Sequence, residues 1–158
     1  MRRWLWSVVV LCVAIGLAKA QGFQNWPKED QEVLLSAEED FNFGDLEAAI
    51  AALEALARKH PEEPRVWRLL ALAYTEIKAY SRAQKAYARW RSLVGAAANE
   101  DREAVLYEAR ALAGAGEYRL ASARLKAWLS RHPEDAEAML ALLDFETRRK
   151  AWDEVARV

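Results

Sequence analysis

The stretch GDLEAAIAALEALARKHP at 44–61 returns as GEYRLASARLKAWLSRHP at 116–133, with Gly, His and Pro in place. The pairs Ala49/Ala121, Ala51/Ala123, Leu53/Leu125 and Ala55/Ala127 keep step between the two. KAYSRAQKAYARW at 78–90 plays the same part between them, and KAWDEVARV at 150–158 opens a fourth instance. The starting points 44, 78, 116 and 150 are 34, 38 and 34 residues apart, which is a period of 34 with four residues inserted once. A helix of about fourteen residues, a tight turn and a second such helix fill that length. Trp67, Leu70, Ala71 and Tyr74 recur at helical spacing, and Ala83, Tyr87 and Trp90 follow on the next helix. Ala71 and Ala83 are small enough for two antiparallel helices to approach closely, with Trp67, Tyr74 and Tyr87 filling around them. So regular a spacing argues against an irregular bundle and predicts hairpins that hide their apolar sides by stacking on one another.

Composition agrees with an all-helical chain. Hydrophobic residues make up 53% and charged residues 30%, the balance of a globular protein, and 158 residues suffice for one domain with a core. Six Gly and four Pro imply few and short loops, and no strand-like run of Val, Ile and Thr follows residue 20. The first twenty residues read separately, as a signal peptide. Arg2 and Arg3 precede an apolar stretch from Trp4 to Leu17, and Ala18-Lys19-Ala20 has the small-x-small spacing of a cleavage site, so cleavage is expected before Gln21. An apolar stretch this short is poorly suited to span a hydrocarbon layer about 30 Å thick. Retained, it would tether the protein to a membrane. Removing it takes away Cys12, the only cysteine, along with Arg2, Arg3 and Lys19. The remainder holds 20 basic and 24 acidic residues, a net charge of −4, which argues against a general nucleic-acid binder. Export to a periplasmic or extracellular space is the expectation, with residues 21–29 as a short linker.

At this point the chain resembles the tetratricopeptide repeat family, whose loose signature is Trp, Leu, small, Tyr in the first helix, then Gly/Asp-Tyr, Ala, an aromatic or Leu, and a final Pro. The second unit (64–97) carries Trp67, Leu70, Ala71, Tyr74, Tyr80, Ala83 and Tyr87, with Gly95 where the family has its Pro. The first unit (30–63) carries Ala37, Gly44, Ala49, Leu53 and Pro61, with Asp40 at the tyrosine position. The third (102–135) carries Ala109, Gly116, Tyr118, Ala121, Leu125 and Pro133. The fourth (136–158) is degenerate and partial, with Leu143 and Val155 where small residues usually sit. The resemblance implies a right-handed α-solenoid of antiparallel helix pairs, three full repeats plus a partial fourth. In the insertion VGAAANED (94–101), Gly95 stops one helix and Asn99 or Asp101 caps the next. The last unit shows Val155, Ala156 and Val158 on an uncovered helix, as expected of a fragment of a longer array or of an end that docks onto something.

Chemistry is sparse. His60 and His132 each precede the Pro that closes a repeat, a helix C-terminus that suits an imidazole, and they lie on separate units. No phosphate loop or HExxH is present, and Glu38-Glu39-Asp40 point in different directions on a helix. Neither catalysis nor a cofactor nor a metal is expected. Most aromatics fall at core positions of the repeat, while Phe23, Trp26, Phe41 and Phe43 lie outside it, as a cap on the first unit or as partner contacts.

Binding is what the resemblance implies, along a concave face lined by the first helix of each unit. Its positions read Leu34, Glu38 and Phe41, then Arg65, Arg68, Leu72 and Thr75, then Leu106 and Arg110, then Leu140 and Asp144. The Lys-Asn-Asn-Lys-Arg clamp of some members is absent. Arg65, Arg68, Leu72, Thr75, Leu106 and Arg110 are the candidate partner-binding residues, an apolar strip whose arginines pair with carboxylates of an acidic protein or peptide. The charge runs −8 over 21–63, +6 over 64–97 and −2 over 98–158, so the basic second unit either steers an acidic segment or complements its neighbours. The expected function is an exported scaffold for envelope, pilus or secretion assembly. The second reading is a module that self-associates through its open C-terminal repeat.

Overall fold

A computed structural model describes residues 23–155. The signal peptide and the terminal Ala156 and Val158 lie outside the described residues, as do the side chains of Trp152 and Val155. Among the described residues there are seven α-helices and no strand. They are α1 (Lys28–Phe43), α2 (Leu46–Lys59), α3 (Pro64–Glu76), α4 (Tyr80–Val94), α5 (Arg102–Gly114), α6 (Tyr118–Leu129) and α7 (Ala136–Val155). Short 3₁₀ turns occupy Phe23–Asn25 and Gly95–Asn99. Each helix packs on the next in chain order, and α3 also touches α1 and α5. The result is a solenoid of hairpins α1/α2, α3/α4 and α5/α6, closed by α7.

The repeated phrase sets both the turns and the core. Gly44, Lys78 and Gly116 have φ of 87°, 60° and 83°, and each ends its helix in the left-handed conformation. The residue after each returns its N–H to a carbonyl five residues back: Asp45 to Asp40 (2.8 Å), Ala79 to Tyr74 (2.8 Å) and Glu117 to Leu112 (2.9 Å). Five positions into each phrase, Ala49, Ala83 and Ala121 are fully buried, and nine positions in, so are Leu53, Tyr87 and Leu125. Ala71 and Ala83 lie in one cluster with Tyr74, Tyr87 and Trp90, as the small-residue contact requires. A second cluster joins α5, α6 and α7 through Val105, Ala109, Leu125, Trp128 and Phe145.

The fourth phrase does not make a turn. Lys150 lies inside α7, which runs unbroken from Ala136 to Val155, so the expected start of a new helix at 150 is not observed. Two physical reasons converge. Leu143 and Val155 replace the alanines that let the other pairs close (Ala71 and Ala109; Ala49, Ala83 and Ala121). Arg149 also bonds Glu146 (2.9 Å) and Asp153 (3.2 Å), pairs three and four residues apart that bridge the position where the turn would fall.

In the insertion, Gly95 stops α4 and the chain makes its 3₁₀ turn before Asp101. Asp101 is the cap of α5, accepting from the Ala104 N–H at 3.0 Å, whereas Asn99 accepts from Arg124 at 2.7 Å. Phe23 and Trp26 pack against the core cluster of the first two units, Phe23 beneath Arg65 and Trp26 on His60, while Phe43 stands 87% exposed.

Candidate partner-binding site

The six residues expected on a binding face do not form one. Leu72, Thr75 and Leu106 are buried, and the Thr75 hydroxyl donates to the Ala71 carbonyl (2.8 Å). Their burial follows from the position of α3, which α1, α2, α4 and α5 surround, so that its residues from Leu69 to Thr75 are all interior. These three pack within the fold instead of lining an open face.

The arginines are engaged within the chain to different degrees. Arg65 Nη2 donates to Glu38 Oε1 at 2.6 Å, and its guanidinium lies 4.7 Å above the Phe23 ring. Arg68 makes a two-pronged fork onto Asp101 (2.6 and 3.0 Å) and reaches Glu103 at 2.7 Å. That fork holds Arg68 protonated beyond its ordinary range. Burial pushes the Asp101 carboxyl up, but the Arg68 bonds and the Ala104 N–H bring it below the usual carboxylate range. Arg102 repeats the device one unit on, with Asp135 (2.8 and 2.9 Å) and Glu137 (2.9 Å). Both arginines therefore bind the carboxylate that caps the first helix of the next unit. Arg110 is the loosest of the three candidates. Its side chain is 51% exposed against 26% for Arg68, it lies 4.6 Å over the Tyr107 ring, and its one bond, to Glu76, is 3.3 Å long.

Arg110 opens onto a cleft of about 460 Å³ between α5 and α7. Tyr80 and Tyr118 wall it, buried Phe145 lies deeper, Gly114 adjoins the Tyr80 ring, and Asp144 and Arg148 of α7 complete the rim. Gly114 leaves room there, because a Cβ at this position would come within 2.2 Å of the Tyr80 ring and force it to shift. Asp144 and Arg148 bond to each other at 2.9 Å, both largely exposed. Such exposed pairs contribute at most about 1 kcal/mol, so an incoming carboxylate can exchange for Glu76 or Asp144 at little cost.

The sequence pointed to Arg110 and Asp144 but missed the rest of the cleft. Tyr80 and Tyr118 carry a signal in their shared place two residues into the phrase, which reads as core. Arg148 and Gly114 carry none, because their roles depend on how α7 approaches α5 and how the Tyr80 ring of α4 sits against α5. Buried Glu108 was also unforeseen. It pairs with Arg91 (2.5 Å) and accepts from Arg124 (2.8 Å), and Arg124 in turn holds Asn99 and the Ala98 carbonyl of the insertion.

The histidines serve packing and charge. His60 stacks on Trp26 with ring centroids 3.5 Å apart and contacts Asp30 at 2.8 Å; His132 stacks on Trp128 at 3.9 Å. Among the described residues no cluster of His, Cys, Asp and Glu is arranged to hold a metal ion.

A family model described as tetratricopeptide repeat matches residues 34–101 and 106–154, and the chain belongs to that family. Solved structures with the same fold include the Arabidopsis OM64 TPR domain, 12% identical, with a TM-score of 0.65 over 76% of this chain and 96% of that one. The first TPR of Spaghetti (RPAP3), bound to the HSP90 peptide SRMEEVD, is 16% identical, with a TM-score of 0.66 over 78% of this chain and 94% of that one. A MamA mutant is 16% identical, with a TM-score of 0.67 over 90% of this chain and 83% of that one. No curated protein matches the chain.

Proposed function

We propose that this protein is an exported, non-catalytic scaffold that holds an acidic segment of a partner protein in the cleft between α5 and α7. The observation that carries the reading is the cleft, where tyrosines wall a space rimmed by two weakly engaged arginines, Arg110 and Arg148. Aromatic walls with a few convergent polar groups are the usual make-up of a side-chain pocket. Guanidinium groups at its rim select carboxylates. Two further facts agree. The Spaghetti domain of like fold was solved with a peptide that ends in two glutamates, a valine and an aspartate. The sequence also opens with the charged start, apolar stretch and small-x-small site of an export signal. Among the described residues no helix is long and apolar enough to cross a membrane. Envelope, pilus or secretion assembly is the setting this reading favours.

Arg110→Glu tests it. Losing a charge-assisted bond and gaining a repulsion should weaken partner capture by about tenfold or more, with helical content unchanged. Arg110→Lys should lose less. The partner is first isolated by affinity capture from an envelope extract. Undiminished capture by the Glu variant would reject the cleft as the binding site.

A further inference from the structure

The outer side of α7 is apolar and has no partner within the described residues. Ala138 and Phe145 are buried on one side of the helix, while Met139 (46%), Leu140 (68%) and Leu143 (65%) stand exposed on another. Exposed Ala136, Thr147 and Ala151 extend this stripe over the length of the helix at spacings of three and four. The repeat shows what such a stripe is for. One period earlier, Val105, Leu106, Ala109 and Ala113 of α5 occupy the positions of Met139, Leu140, Leu143 and Thr147, and all four are buried in the cluster shared with α6. An antiparallel helix covers that face in the third unit. Among the described residues no helix does so in the fourth unit, because α7 continues through Lys150 instead of turning back.

We infer that α7 of a second copy of this chain supplies the missing antiparallel helix, giving a two-fold dimer. Charge order along α7 selects this occupant. Glu137 and Asp144 flank the stripe in its first half, and Arg148 and Lys150 lie beyond them towards its C-terminal end. An antiparallel copy places Glu137 of one chain beside Arg148 of the other, twice over, whereas a parallel copy aligns like with like. A helix delivered by another molecule is not tied by a turn of two or three residues. It can therefore sit at the wider spacing that Leu143 demands where the hairpins have alanine. The described residues begin at Phe23, which packs at the far end of the stack from α7.

Sedimentation of the full chain from micromolar to millimolar concentration tests the dimer. The expected result is a mass that doubles, and Leu140→Glu with Leu143→Glu should hold it at one chain with helical content unchanged. Glu137→Arg and Arg148→Glu should each be monomeric alone and should form a dimer when mixed, because the mixture restores both contacts. A wild-type monomer throughout would overturn the inference. So would association that survives the leucine substitutions, or a mixture that fails to pair.

Discussion

Lys78 occupies a left-handed backbone position (φ 60°) that its two counterparts fill with glycine. An L-residue pays a steric penalty there that glycine escapes, although glycine also loses more freedom on folding. The side chain of Lys78 makes no charge pair among the described residues, so its replacement removes little. Lys78→Gly is expected to raise stability by about 0.5–1 kcal/mol in denaturant unfolding. A loss of stability would mean that the turn depends on the lysine itself. At the same scale, Gly114 shows how one absent Cβ shapes a site: it admits the Tyr80 ring, which becomes a wall of the cleft.

At the scale of elements, the insertion is held by a buried charge as well as by the burial of Ala98 in the core. Glu108 of α5 bonds Arg91 of α4 and Arg124 of α6, and Arg124 fastens Ala98 and Asn99. Removing one member of a buried ionic cluster strands the others. Glu108→Gln is expected to cost about 2–3 kcal/mol and to speed hydrogen exchange across residues 95–101. Exchange there that stays as slow as in the parent would show that the arginine does not anchor the segment. The same scale explains α7. Short-range pairs through Arg149 favour one long helix, and bulky residues at two alanine positions oppose the hairpin.

Across the whole molecule, charge joins the units. The basic second unit meets its acidic neighbours through Arg65–Glu38, Arg68–Asp101 and Arg91–Glu108, so the charge asymmetry is spent largely between units. The carboxylates so engaged are displaced downward. The Lys59 and His60 bonds lower Asp30, the Arg102 fork lowers Asp135, and bonds from Lys126 and then Arg149 bring Glu146 down to about 2. A depressed carboxyl contributes stability above its unfolded pKa near 4 and loses it as pH falls through the folded value. The melting temperature is thus expected to hold between about pH 8 and pH 5 and to fall steadily below about pH 4. Burial pushes Tyr74 up to about 12, so a second loss is expected as pH rises past about 10, and Tyr74→Phe should reduce it. An acid limb that is flat down to pH 2 would contradict the ion-pair account.

The amino-acid sequence alone determined the helices, the period of 34 and the turns at 44, 78 and 116. These follow from local rules: helix-forming composition, left-handed turn positions, and small or large residues at fixed places in the phrase. It also pointed to Arg110, which lines the cleft between α5 and α7. Only the tertiary structure decided that Leu72, Thr75 and Leu106 are interior, that Arg65 and Arg68 already have carboxylate partners, and that α7 does not turn. The physical reason is range. A repeat pattern reports which side of a helix is covered, but an arginine's partner 27 or 33 residues away, and a cleft between units, depend on how the units sit against one another.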